Sequence, residues 1–88
     1  MTDAELLSAF ERHELSEFRH REHIRVGFAL LQRERDIGRA VAAFRAVAGH
    51  AAKYRDDVTR TYMMRIAERM HAYSYATSEE LLAAHPEL

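Results

Sequence analysis

Gly27, Gly38, Gly49 and Pro86 are all the glycine and proline in this chain of 88 residues. These two residue types are the strongest interrupters of regular structure, so their scarcity leaves long stretches free to run as helix. No segment shows the alternation of a half-buried strand; apolar residues recur at three- and four-residue spacings instead. The expected fold is all-α: a small up-down helical bundle of four main helices plus a short C-terminal helix, forming a single domain, 1–88. A chain this short holds one core. It buries only about 60–65% of its unfolded surface, so pairing as a homodimer would add to its stability.

Local signals place the helices. Thr2 and Glu5 have capping-box spacing, opening a first helix with Leu6, Leu7 and Phe10 on its apolar face and an end near His13. Leu15-Ser16 reads as a break, and a second helix runs from Glu17–His20 to Glu34. Asp36 is an N-cap for a third, Ile37 to Ala48, which Gly49 stops. After a loop at 50–53 comes the longest helix, Tyr54 to Tyr73. Thr77 and Glu80 repeat the capping-box spacing and open a last helix through Ala84, ended by Pro86.

Function classes narrow by elimination. The absence of cysteine removes disulfides, zinc–thiolate centres and thiol nucleophiles. The acidic, polar N-terminus has no signal-peptide core. No apolar run approaches the ~20 residues of a membrane span, so a cytoplasmic protein without a membrane partner is expected. Charge is segregated: residues 1–18 hold one Arg against five acids, residues 19–55 nine Lys/Arg against three acids, and residues 56–88 three against six. A basic middle can dock on an acidic partner, but a nucleic-acid binder carries a clearly basic domain, and the net charge here is −1. No nucleophile motif, phosphate loop or dinucleotide fingerprint is present, and no cofactor is implied.

The stretch F-R-H-R-E-H-I-R-V-G-F-A-L-L, Phe18 to Leu31, raises the functional question. At about 100° per residue the apolar face of this helix centres near His20, with Ile24, Phe28, Leu30 and Leu31 around it. His23, Gly27 and Glu34 share the face, while Arg21, Glu22, Arg25, Gln32 and Arg33 point away. In the fourth helix Val58, Tyr62, Ile66, Met70 and Tyr73 form an apolar face that includes Arg55 and Thr59. A guanidinium there needs an acceptor, either Glu34 or a bound anion. These placements predict a polar pocket at one end of the bundle lined by His20, His23, Arg55 and Thr59, with Tyr54 and Tyr62 beside it. Its leading use is binding a small anionic or carboxylate-bearing molecule, with His20 and His23 as candidates for acid–base catalysis. The competing structural reading is two hydrogen-bonded core histidines. Met63, Met64 and Met70 read as filler, and Tyr73 and Tyr75 as a dimer contact or a solvated helix end.

Two other readings stand beside it. One is an interaction module docking through the basic middle. The other is a divalent-metal site, because His-x-x-His puts two imidazoles on one side of a helix; His13, His50 or Glu34 would have to complete it. The pairs Glu17–His20 and Glu68–His71 have the spacing of di-iron bundles, but Glu68 and His71 fall on the outer face and the bridging glutamates are missing.

The same stretch resembles the start of an uncharacterised family of small bacterial helical proteins, F-x-H-R-x-H-[LIV]-R-[LIV]-A-W-x-x-L. Lys53 to Tyr62, K-Y-R-D-D-V-T-R-T-Y, is similar to that family's K-Y-H-E-T-[IL]-T, and the tail E-E-L-L-A-A-H-P-E-L to its F-L-x-x-N-P-x-L. The resemblance spans nearly the whole chain and matches at Phe18, His20, His23, Tyr54 and Thr59. It departs at position 55, where the family pattern has His and this chain has Arg55. Arg stays protonated and offers only donors, so the departure favours an anion over a metal. The resemblance implies no particular reaction.

Overall fold

A computed structural model describes residues 1–88 and shows five helices with no strand: α1 (Asp3–Glu11), α2 (His20–Glu34), α3 (Ile37–Ala48), α4 (Asp56–Ala72) and α5 (Ser78–Ala84). The all-α bundle expected from the sequence is the fold observed.

The helix starts follow from capping chemistry. At α1 the Glu5 N–H donates to the Thr2 hydroxyl at 3.1 Å and the Thr2 N–H to the Glu5 carboxylate at 2.8 Å, a complete capping box. Asp36 accepts the Arg39 N–H at 2.8 Å, and Thr77 the Glu80 N–H at 3.2 Å. Glu80 does not reciprocate; it takes the Ala76 N–H instead. Helix α2 has Arg19 at its N-cap, which cannot accept a hydrogen bond, so the Glu22 carboxylate reaches back to the Arg19 N–H. Helix α1 ends two residues before the expected His13, which takes a left-handed conformation (φ 58°). Helix α4 starts two residues after the expected Tyr54, with Arg55 extended at its N-cap.

Helix α2 is the centre of the bundle, packing against each of the other four helices. Ile24, Val26, Phe28 and Leu30 are fully buried, so this helix is covered on nearly every side rather than along one stripe. A Cβ at Gly27 would meet Ile66 Cδ1 at 3.0 Å and Met63 Sδ at 3.4 Å. The absence of a side chain at Gly27 is what lets α4 approach. In α4 the buried residues are Thr59, Met63 and Ile66. Val58 and Tyr73, expected inside, are 39% and 58% exposed. The buried stripe is thus offset from the Val58–Tyr62 line read from the sequence. No helix is long and apolar enough to cross a membrane.

One polar group sits inside this packing against expectation. Arg25 does not point away: its side chain is only 11% exposed. It donates to the Ser78 hydroxyl at 2.9 Å and the Met1 carbonyl at 2.8 Å, and lies 3.3 Å from Asp3. Asp3 also accepts the Ser78 N–H at 2.7 Å and its hydroxyl. A single carboxylate at the first turn of α1 therefore also caps the first turn of α5, where the helix dipole favours negative charge.

Candidate functional site

The residues expected to share one pocket are divided by the fold. His20 and His23 leave α2 toward different neighbours. His20 lies at the rim, exposed to solvent, with its Nε2 2.8 Å from the Leu88 main-chain oxygen and its ring edge-on to Tyr62, centroids 5.0 Å apart. The Arg65 guanidinium covers Tyr62, 5.4 Å from its ring centre. The place of His20 at the centre of the inward face is corrected here: as the first residue of α2 its ring lies at the surface over Tyr62 and the Leu88 main chain. Arg55 is also corrected: its side chain is 67% exposed and pairs with Asp57 at 2.7 Å. Extended backbone at the N-cap takes it off the helical face on which the wheel placed it. Glu34, its expected internal acceptor, binds Arg33 at 2.8 Å. No cleft is lined jointly by His20, His23, Arg55 and Thr59. Thr59 is buried at 2% exposure, and Glu68 and His71 are exposed as expected.

His23 does turn inward. Its ring stacks on Phe44 of α3 with centroids 4.6 Å apart and planes at 16°, and Phe18 lies against it at 5.4 Å. Phe18 in turn stacks on Phe10 at 5.2 Å, and Phe10 meets Phe44 at 5.0 Å. Four rings from α1, the α1–α2 connection, α2 and α3 thus form one aromatic box. Tyr54 extends it, 6.3 Å from Phe44, with its hydroxyl donating to Asp56 at 2.7 Å. Burial and that carboxylate push the Tyr54 hydroxyl pKa up, while Arg45 and Tyr54 hold Asp56 below the usual carboxylate range.

Inside the box, His23 Nε2 is buried and has no hydrogen-bond partner. Burial, with a smaller contribution from His20, pushes the His23 pKa down, which favours the neutral ring. Phe18 lies against this ring, centroids 5.4 Å apart. It is 39% exposed and belongs to a non-helical stretch. Phe18 also lines a cleft of about 300 Å³ together with Phe10, His13, Leu15, Val47, Ala48, His50 and Ala51, a lining that does not include His23. The sequence reading placed His23 and Tyr54 at its pocket, had Phe18 only as a matching position of the family resemblance, read Phe10 as the apolar face of the first helix, and did not single out Phe44. Phe10 and Phe44 look like ordinary core positions, and only tertiary packing brings them to the imidazole.

Two further sequence readings meet the geometry. Of the nine basic residues in 19–55, Arg19, Arg25, Arg33, Arg45 and Arg55 are held in ion pairs. That leaves Arg21, Arg35, Arg39 and Lys53 without an ion-pair partner. No group of three His, Asp or Glu side chains stands close enough to share one ion. Compared with known protein families, curated proteins and solved structures, the chain matches none of them.

Proposed function

We propose that this protein is a small-molecule-binding helical module of the cytoplasm. Its ligand enters the cleft beside Phe18, lays a flat apolar body against Phe10 and Phe44, and pairs a carboxylate or other acceptor with His23. The observation that carries this reading is the orphaned His23 Nε2. A buried donor or acceptor without a partner costs about 1–3 kcal/mol. A position that needed only to fill the box would be served better by a phenyl ring. A ligand group within hydrogen-bonding distance would recover that cost, giving the apolar cleft one polar point for orientation. Phe18, on irregular backbone, is the residue whose displacement joins the cleft to the imidazole. Phe18 and His23 are two of the five positions through which the chain resembles the small bacterial helical family, and membership of that family belongs to the same proposal.

Benzoate is a suitable probe, with a flat ring and one carboxylate. Titrated into the protein, it should shift the His23 ring resonances saturably in a ¹H–¹³C correlation spectrum. His23→Phe keeps the stack on Phe44 and removes the nitrogen. It should abolish saturable binding while leaving the free protein as stable as wild type or more so. Benzoate binding that survives in His23→Phe, or a variant that melts well below wild type, refutes the assignment of His23 as the ligand's anchor.

A further inference from the structure

We infer that His13 and His50 form a two-imidazole site for a borderline divalent cation of the Cu²⁺, Ni²⁺ and Zn²⁺ group. The sequence offered both only as possible supplements to His20 and His23. The fold brings them to each other instead. Their ring centres are 5.7 Å apart with planes at 56°. Two imidazoles sharing one ion at metal–nitrogen distances of about 2.0–2.1 Å have ring centres roughly 4.5–5.5 Å apart, the range depending on the angle at the metal. A small rotation of two exposed side chains closes the difference.

Three features favour this pair over His20 and His23. First, His13 and His50 are exposed, and neither ring is engaged in a hydrogen bond or ion pair within the protein. By contrast, His20 is held on Leu88 and Tyr62, and His23 is packed between Phe18 and Phe44. Second, His13 is the left-handed residue (φ 58°) that closes α1, its N–H on the Phe10 carbonyl and the Glu14 N–H on the Ala9 carbonyl, so its backbone is held in place by the helix end. Third, the two follow different helices, His13 just past α1 and His50 just past α3, so an ion between them ties two elements together. With no third carboxylate or imidazole in reach, water fills the remaining positions, giving an open and exchangeable site. Imidazole nitrogen suits these ions, and the order of affinity should place Cu²⁺ above Ni²⁺ and Zn²⁺. His13 and His50 line the cleft through which the ligand proposed for His23 would enter, but the metal titration uses neither that ligand nor His23, so the two readings can fail separately.

The test is isothermal titration with CuCl₂, NiCl₂ and ZnCl₂, paired with melting curves at rising metal concentration. Wild type should bind one ion per chain, and because the ion binds the folded state its melting temperature should climb with metal, most with Cu²⁺. His13→Asn, chosen because Asn accepts left-handed backbone, and His50→Ala should each remove both effects. His20→Ala and His23→Phe should retain them. Absence of binding in wild type overturns the inference. So does binding that persists in the His13→Asn/His50→Ala double variant, or binding lost in His20→Ala or His23→Phe.

Discussion

At the scale of single residues, Arg25 and Arg55 show how little residue type alone decides. Arg25 is 11% exposed and joins the Met1 carbonyl, Asp3 of α1 and Ser78 of α5. Removing one member of a buried pair strands the other, and with the partial exposure here the expected loss for Arg25→Met is about 2–4 kcal/mol. For a domain of this size that lowers the melting temperature by roughly 10 °C or more. Arg55 is 67% exposed and holds only its neighbour Asp57 across solvent. Arg55→Met should therefore melt with wild type, since exposed pairs are screened and held at an entropic cost. Two melting curves decide both points. An equal loss in the two variants would mean that Arg55 has a partner in the interior, as the sequence suggested. The error about Arg25 has a simple origin. Its acceptors lie 22, 24 and 53 positions away along the chain, and no helical wheel carries information at that range.

At the scale of elements, the tail after α5 docks back onto the bundle. Leu88 is 7% exposed, its main-chain oxygen meets His20, and Glu87 lies 3.3 Å from both Arg69 and His85. The His85 ring is fixed in turn by Tyr75 at 2.7 Å. Leu88→Ala should cost about 2–3 kcal/mol and shift the His20 ring resonances. A variant with wild-type stability and an unmoved His20 would mean that the tail does not dock in solution. This tail could not be read beforehand, because after Pro86 no periodicity remains. What was legible is local: Thr2 with Glu5, Asp36 with Arg39 and Thr77 with Glu80 are contacts three residues apart. The aromatic box was half legible. His23 faces inward because α2 is apolar there, but its company of Phe10, Phe18 and Phe44 comes from three other segments. Gly49 ends α3 as expected, though in a right-handed conformation (φ −65°). Its small size matters instead, because a Cβ there would sit 2.5 Å from the Arg45 carbonyl oxygen.

At the scale of the whole molecule, charge segregation along the sequence becomes complementarity in space. Arg25, Arg33 and Arg45 from the basic middle pair with Asp3, Glu11 and Asp56 from the acidic flanks. Acid should therefore act on stability in two stages. His23 has its pKa depressed below 6.5, with burial the larger cause and His20 the smaller. The unfolded chain then binds a proton at this site before the folded one does, so stability is full above about 6.5 and falls as pH drops toward the folded pKa. Four carboxylates are depressed as well: Glu5 by Thr2, Asp56 by Arg45 and Tyr54, Asp57 by Arg55, and Glu87 by its own backbone and Arg69. Their contribution is present above their ordinary values of 3.8 and 4.5 and is lost as pH falls through the lower folded values. The two stages separate by variant and by salt. His23→Phe cannot titrate and should remove the loss that His23 contributes below about pH 6.5, leaving the carboxylate stage intact. One molar salt, with a screening length of about 3 Å, should weaken the part of the lower stage that Asp56 and Asp57 draw from their exposed Arg45 and Arg55 partners, and leave the His23 stage, which is set by burial. Melting temperatures from pH 8 to pH 3, for both proteins at low and high salt, provide the measurement. An upper stage that persists unchanged in His23→Phe would mean that His23 titrates as it does in the unfolded chain, and the case for an unpaired, buried imidazole would fall with it.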